Sequence, residues 1–381
     1  MRIQMFALLM TAPLAAPGCR SQPANAVSER RAPEDGRLMP PEKVVDHVWV
    51  MRQPDRVWSA VIGNVEIIEQ SDGVVLVDSG GTIPDGRDVV EAVARLTTKP
   101  IKAVIITHWH NDHPLGVPAI LERFPKARII ATATTAKLMA DPEILGVGVG
   151  KTDAKRAEER MKSSALRSAN YLKGSNEAAH SPAVRREYAI EGAWVMTRAK
   201  RQMTNYVALP TETFTDRLVI DDPLTPVEAL YLGRANTKGD AFVWLPRQKV
   251  MVAGDAVVAP SPYGFTNPIG PWLDTFDRLE RYDFQMLVPG HGKVQRDRAY
   301  LATLRWSMND MRRQAAELAR TGATPEQAAE HFAKSEQRRR FGATDAWSQR
   351  WLDAYWLDGM FATAFKQAKA MPLGEDVDGG D

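Results

Sequence analysis

Short apolar runs separated by polar turns dominate the chain from residue 44 to 294. Runs at 47–53, 61–69, 74–78, 101–107, 127–132, 217–220, 227–232, 241–245, 249–253 and 285–288 have strand length and predict β-strands. Apolar positions at helical spacing predict helices over 87–96, 114–124 and 272–282. Between 133 and 209 the pattern changes. The stretch 153–168 is charged and helix-prone, and helical character resumes at 182–188, which marks a helical insertion between two groups of strands. Its place in the chain suggests a cover over the mouth of a site. After 294 the chain reads as helical to about 370. There Trp347, Trp351, Tyr355, Trp356, Phe361 and Phe365 recur near helical spacing and read as a buried face. Thr324-Pro325-Glu326-Gln327 is a helix start: Thr324 caps, Pro325 suits the first turn and Gln327 completes a capping box.

Composition narrows the picture. The chain has 381 residues, 44% of them hydrophobic and 25% charged, enough for one large layered domain with a helical appendage. A net charge of +2 without a basic stripe argues against nucleic acid as a partner and leaves a small-molecule substrate. The run Arg338-Arg339-Arg340 reads as a solvated helix face. Residues 1–26 read as an export signal, with Met1-Arg2 basic, 5–16 apolar but short for a membrane span, and Ala24-Asn25-Ala26 as a cleavage site. Ala16-Pro17-Gly18-Cys19 gives a second reading, a lipoprotein signal that attaches the protein to a membrane through a lipid on Cys19. Either places the mature protein in the periplasm or anchored in the bacterial envelope. Cys19 is the only cysteine, so no internal disulfide and no thiolate ligand is expected. The remaining boundaries are a linker over 27–43, a main domain over 44–294 with its insertion over 133–209, a helical extension over 295–372 and a tail over 373–381.

The chemistry is concentrated in Thr107-His108-Trp109-His110-Asn111-Asp112-His113. The chain has seven histidines, and three fall within these residues beside an aspartate. Imidazole and carboxylate are ligand types for zinc and other borderline metals. The motif follows the apolar run at 101–106, so its ligands sit where a rigid strand gives way to a loop. Two further strands end alike. Ala253-Gly254-Asp255 closes the run at 250–252, and Pro289-Gly290-His291-Gly292 follows 285–288.

This order of motifs resembles the metallo-β-lactamase superfamily over about residues 44 to 294. The resemblance implies an α+β fold, a four-layer αβ/βα sandwich of two β-sheets with helices outside and the ligand loops gathered at one edge. It implies that His108 and His110 hold a first metal, that Asp112, His113 and His291 hold a second, and that Asp255 bridges them. Asp78, in Val74-Val75-Leu76-Val77-Asp78-Ser79-Gly80, would brace the metal loops without binding metal. The sequence departs from the family at Gly233-Arg234-Ala235-Asn236-Thr237-Lys238-Gly239-Asp240. There Asn236 stands where most members carry a histidine ligand. A carboxamide oxygen is neutral and a weaker zinc ligand than imidazole. The expected cofactor is zinc, one or two ions, with iron or manganese as alternatives. His180 is the substitute ligand if the insertion folds over the pocket. His47 and His331 read as structural or exposed.

The expected function is hydrolysis of an amide, lactam, lactone or ester bond by metal-activated water, with Asp112 and Asp255 placed to orient that water and take its proton. A β-lactamase-like activity falls within this range. The alternatives are a thioester or sulfur-compound enzyme of the same fold, or a metal-binding envelope protein without turnover. Candidate substrate contacts are Tyr263, Phe265 and Trp109, with Tyr206 and Trp272 as further rings and Lys238 or Arg234 for a carboxylate. Gly146 to Thr152 carries the Gly-Lys-Thr ending of a phosphate loop, but Leu145 stands where that motif needs glycine. A connector into the inserted helix is the preferred reading.

Overall fold

The computed structural model describes residues 35–55 and 58–373. The expected export signal with Cys19, residues 27–34 of the expected linker and residues 374–381 of the expected tail lie outside the described residues. Among the described residues, no helix is long and apolar enough to cross a membrane.

Two sheets carry the fold. The first has seven strands in chain order: Glu42–Val45, Val48–Met51, Val65–Glu69, Val74–Val77, Ile101–Ile105, Arg128–Thr132 and Glu212–Phe214. The second has Arg217–Ile220, Val227–Tyr231, Ala241–Leu245, Val250–Val252 and Met286–Val288. Val74–Val77 and Ala241–Leu245 are buried at every position. That fits their unbroken apolar runs, since a strand covered on both faces needs no polar alternation. Between the sheets, Val48, Val50, Ile68, Val75, Val77, Ile105 and Ile130 pack with Val227, Val243, Leu245, Val250, Val252 and Val288. Helices Ile83–Leu96 and Val117–Arg123 cover the outer face of the first sheet. Ile269–Leu279, Ala299–Arg320 and Asp358–Ala368 cover that of the second. The expected four-layer αβ/βα sandwich is the fold.

Several boundaries differ from expectation for local reasons. The run at 47–53 is two strands: His47 takes a left-handed backbone (φ 65°) and turns Glu42–Val45 against Val48–Met51. Its ring meets Glu69 at 2.9 Å, the structural role expected of it. The linker is already packed at Leu38, which is buried in the first core. The first helix starts at Ile83 because Thr82 caps it, accepting the Asp85 N–H at 3.0 Å. The strand Glu212–Phe214 is short and polar, and it exists by parallel pairing with Arg128–Thr132.

The insertion is longer and more regular than expected. Ala154–Ser175 and Pro182–Arg201 form a helical hairpin, capped by Asp153 and Ser181. Gly148–Val149 before it pairs with Tyr206–Val207, and the Gly150 N–H donates to Val207 O at 2.8 Å. The glycine-rich segment is therefore a strand-forming connector. His180 lies in the hairpin turn, bonded to Gly174 O at 2.8 Å and stacked on Tyr188, so it does not replace a metal ligand.

The extension shares its core with the second sheet, burying Leu304, Met308, Trp356, Phe361 and Phe365 against Phe242, Met251 and Leu287. The expected aromatic stripe divides in three. Trp356, Phe361 and Phe365 are core, Trp347 and Trp351 meet Tyr171 and Tyr188 of the insertion, and Tyr355 turns to a pocket. The Thr324 capping box forms with both hydrogen bonds, at 2.9 and 3.3 Å. His331 is exposed, its ring on Gln327 O.

Candidate metal centre

Each motif sits just past the C-terminal end of a strand, at one edge of the sandwich. Asp78 follows Val74–Val77, the histidine motif follows Ile101–Ile105, Asp255 follows Val250–Val252 and His291 follows Met286–Val288. The last two strands pair in parallel, which sets the Asp255 and His291 loops side by side. The Gly290 N–H donates to Gly254 O at 2.8 Å, and a Cβ on Gly290 would stand 2.0 Å from Asp255 Oδ1. Only glycine lets these loops close.

Four buried atoms converge there. His113 Nε2 lies 3.5 Å from Asp112 Oδ2 and 3.4 Å from Asp255 Oδ1. His291 Nε2 lies 3.0 Å from Asp112 Oδ2 and 3.4 Å from Asp255 Oδ1. None of the four has a partner in hydrogen-bonding geometry. Buried polar atoms are normally satisfied, so four orphans facing one another call for a shared partner. Four ligands placed tetrahedrally at about 2.0–2.1 Å from a zinc ion stand about 3.3–3.4 Å apart. The four distances, 3.0–3.5 Å, are of that size, and the residues fall into two overlapping groups that share His113: Asp112 with His113 and His291, and His108 with His113 and Asp255. His108 Nε2 is 3.7 Å from Asp255 Oδ2. His110 Nδ1 lies 3.0 Å from His108 Nε2.

The surrounding residues fix the tautomers. Asp78 accepts His113 Nδ1–H at 2.7 Å and the Thr107 N–H and hydroxyl at 2.8 and 2.7 Å. With its hydrogen given to Asp78, the Thr107 oxygen accepts His108 Nδ1–H at 3.0 Å. Both rings then turn their Nε2 inward, the outer support that metal-binding histidines commonly have. Charge points the same way. Burial works against it, yet Asp112, Asp78 and Asp255 hold His113 well above the usual imidazole range. His291 is likewise buried, and Asp255 and Asp112 push it up to about 9. Burial and the neighbouring His113 hold His108 well below its usual range. The two carboxylates thus draw positive charge into a buried place.

Asn236 is buried at the same edge, in a loop clasped by Asp240, which accepts the Ala235 and Thr237 N–H groups at 2.9 and 2.8 Å. Its Nδ2 donates to Tyr263 O at 2.7 Å, and its Oδ1 is buried without a hydrogen-bond partner. The residue therefore has one neutral oxygen to offer.

Beside these ligands opens a pocket of about 310 Å³, with Asp112, Asp255 and His110 on its floor and Trp58, Trp109, Tyr263, Phe265 and Tyr355 among its walls. The three expected contact residues all line it. Two further rings do not. Trp272 is core, its indole N–H on Ala256 O at 3.2 Å, and Tyr206 lies in the small two-stranded sheet. Arg234 and Lys238 are not among its lining either, and Arg234 meets Asn267 Oδ1 at 2.8 Å.

Some supporting residues had no sequence signal. The Asn64 side chain donates to Pro289 O at 2.7 Å and Gly292 O at 3.0 Å, tying the first sheet to the His291 loop. Glu191 of the inserted helix accepts the Trp58 N–H at 2.6 Å, and from Ser59 the N–H at 3.2 Å and the hydroxyl at 2.7 Å. Trp194 donates to Ala60 O at 3.2 Å. The insertion therefore braces the pocket wall from behind and does not line the mouth. Burial raises Glu191 to about 7 despite these donors, and Glu187 adds to the rise. A raised carboxyl favours the protonated form in the folded state. Its contribution is full below the ordinary value of 4.5 and is lost as pH rises through about 7. That window is worth at most about 3 kcal/mol at about 1.36 kcal/mol per pKa unit. Urea unfolding of Glu191→Gln from pH 5 to 8 should therefore show a flatter pH dependence than the parent. Parallel curves would contradict it.

The metallo-beta-lactamase superfamily profile matches residues 58–291. A linear primary-alkylsulfatase from Pseudomonas sp. is 25% identical over 240 residues, 60% of this chain and 41% of the relative. A metallo-beta-lactamase type 2 from Bacillus sp. is 26% identical over 241 residues, 62% of this chain and 68% of the relative. The solved structure of the inverting sec-alkylsulfatase Pisa1 from Pseudomonas sp. superposes with a TM-score of 0.59 at 17% identity, covering 88% of this chain and 51% of that one. The chain thus spans about half the length of the two alkylsulfatases.

Proposed function

Since the chain belongs to the metallo-beta-lactamase superfamily, we propose that it is a metal-dependent hydrolase of an acyl bond: ester, lactone, amide or lactam. One observation carries this reading. Asp112 Oδ2, His113 Nε2, Asp255 Oδ1 and His291 Nε2 converge, buried and without hydrogen-bond partners. These four residues would hold the ion, and zinc is the ion proposed, from the imidazole nitrogen and carboxylate oxygen donors. When bound, the ion supplies Lewis acidity and lowers the pKa of water toward about 7.

The chain's own residues do the rest. Asp78 and Thr107 each engage an Nδ1, of His113 and of His108, so that an ion would meet the Nε2 of both rings in place of a proton. Burial opposes ionisation of Asp112 and Asp255, but the neighbouring histidines hold both below the usual carboxylate range. Their oxygens therefore stay charged at neutral pH, the state in which they would hold the ion and orient a water by hydrogen bonding. Burial, reinforced by Tyr355, Asp255 and Asp112, keeps the Tyr263 phenol neutral, so Tyr263 enters the pocket as an O–H donor for a developing negative charge.

Asn236 points to one firmly held ion per chain. The test is metal analysis of protein prepared without chelator, followed by turnover of p-nitrophenyl acetate and nitrocefin before and after chelation. One equivalent of zinc, with acyl hydrolysis lost on chelation and restored by zinc, is the expected result. The named alkylsulfatase relative favours a second reading, sulfate-ester hydrolysis. It prevails if p-nitrophenyl sulfate is turned over and the acyl substrates are not. If an ion binds and none of the three substrates turns over until Asn236→His is made, the protein is a metal-binding factor without turnover.

A further inference from the structure

The pocket walls come from four separated parts of the chain: Trp58, Trp109, the pair Tyr263 and Phe265, and Tyr355. Their rings stand in fixed mutual orientations. Trp351 stacks on Trp58 at 8° and on Tyr355 at 7°, so the Trp58 and Tyr355 planes run nearly parallel. Phe265 stands perpendicular to Tyr355, with centroids 6.0 Å apart at 87°, and perpendicular to His110, 6.3 Å away at 84°. Tyr263 closes the group at 5.2 Å from Tyr355.

Both accessory elements hold this arrangement. Glu191 of the insertion pins Trp58 and Ser59. Tyr355 lies in the single π-helical turn Asp353–Leu357 of the extension, and its carbonyl accepts the N–H groups of Gly264 and Phe265 at 2.8 and 3.1 Å. Single π-turns inside helices are often found at functional sites. Phe265 sits at φ 48°, an unfavourable backbone for a bulky residue, and remains 40% exposed at the pocket rim. A Cβ on Gly359 would stand 1.9 Å from Phe265 O, so the extension docks on this loop without room to spare. A strained, exposed aromatic ring held from behind is placed for a partner in front of it.

We infer that the pocket receives a planar aromatic ring of the substrate, and that Tyr355 of the C-terminal extension is a specificity-determining residue for it. This deepens the hydrolase reading and rests on it for the word substrate. Aromatic pairs favour offset-stacked or edge-to-face contacts. Trp58, Tyr263, Phe265 and Tyr355 line one volume, with Phe265 at a right angle to Tyr355, so an entering ring meets aromatic walls in more than one orientation. A pocket of about 310 Å³ also lies at the small end for bound ligands, about 300–1,000 Å³, and suits one or two fused rings better than a long chain.

The test separates binding from turnover. The ketone 2-acetonaphthone, which cannot be hydrolysed, is titrated while tryptophan fluorescence is followed, with 2-decanone as the alkyl control in competition. Turnover of 2-naphthyl acetate is compared with that of ethyl acetate. The expected results are saturable binding of the naphthyl ketone, weaker binding of the decanone, and about tenfold weaker naphthyl binding in Tyr355→Leu, which keeps apolar bulk and removes the ring. The naphthyl-to-ethyl ratio of kcat/KM should fall about tenfold in that variant and recover in Tyr355→Phe. Naphthyl binding that depends on Tyr355 in a protein that hydrolyses neither ester would uphold the pocket and sink the hydrolase reading. Ester hydrolysis with equal preference for both esters, decanone binding as tight as naphthyl ketone, or a Tyr355→Leu variant unchanged in both readouts would overturn the inference and leave the hydrolase reading standing.

Discussion

Asp255→Ala should lower kcat/KM for the hydrolysed substrate by at least about 10³-fold, about 4 kcal/mol at 1.36 kcal/mol per tenfold, and should strip the ion. Asp255 faces three of the candidate histidine ligands at once. Its Oδ1 is 3.4 Å from His113 Nε2 and from His291 Nε2, and its Oδ2 is 3.7 Å from His108 Nε2. Losses of about 10–100-fold are typical when only an outer support of a metal ligand is removed, so loss of the shared carboxylate must exceed that. Circular dichroism should remain that of a folded protein, because the loop geometry rests on Gly290, Asn64 and the parallel strand pair. Zinc content should fall well below one equivalent at micromolar free zinc. A variant that keeps both its zinc and its turnover would show that the cation is held elsewhere.

Asp255 was legible in the sequence because its signal is local: an apolar strand, then Gly-Asp. The same holds for the histidine motif, for His291 and for Asp78, each within a few residues of a strand end. The strands were legible because burial on both faces leaves unbroken apolar runs. The residues that support these were not, because their partners are remote. Asn64 acts on a carbonyl 225 positions away, and Glu191 on an N–H 133 positions away. Within their own segments each is an ordinary polar residue. Glu191 lies in a charged helix where burial could not be inferred, and Asn64 lies in a loop. Trp272 shows the opposite error. In the sequence it reads as a candidate pocket ring, but helix Ile269–Leu279 turns it into the core, where its N–H finds Ala256 O. Tyr355 was grouped with the buried stripe, and the π-turn that redirects it leaves no mark in the spacing.

The insertion depends on one buried ion pair, and breaking it should be the most destabilising single change outside the metal centre. Arg198 of the inserted helix meets Asp85 of the first helix through both guanidinium arms, at 2.8 and 2.7 Å, and both side chains are fully buried. Arg198 also donates to Gly36 O at 2.9 Å, and Arg201 adds a second contact to Asp85 at 2.9 Å. Removing one partner of such a pair leaves a charge in a place that cannot solvate it, typically about 3–5 kcal/mol. Arg198→Met should therefore lower the unfolding free energy measured in urea by that amount, somewhat reduced because Arg201 stays. Asp85→Leu combined with Arg198→Met should lose less than Arg198→Met alone, since no buried carboxylate then remains. Burial alone would raise the Asp85 carboxyl, but Arg198 and Arg201 overcome it and hold it below its ordinary value. A depressed carboxylate contributes its stability above the unfolded value, about 3.9, and loses it as pH falls through the folded value. The destabilisation by Arg198→Met should thus be full at neutral pH and shrink as acid protonates the Asp85 carboxyl that has lost its partner. It should also reach the pocket, since the same helix carries Glu191, which holds Trp58 and Ser59. A single variant within about 1 kcal/mol of the parent, or a double variant no more stable than the single, would mean that packing of the two inserted helices holds the insertion in place and the ion pair does not.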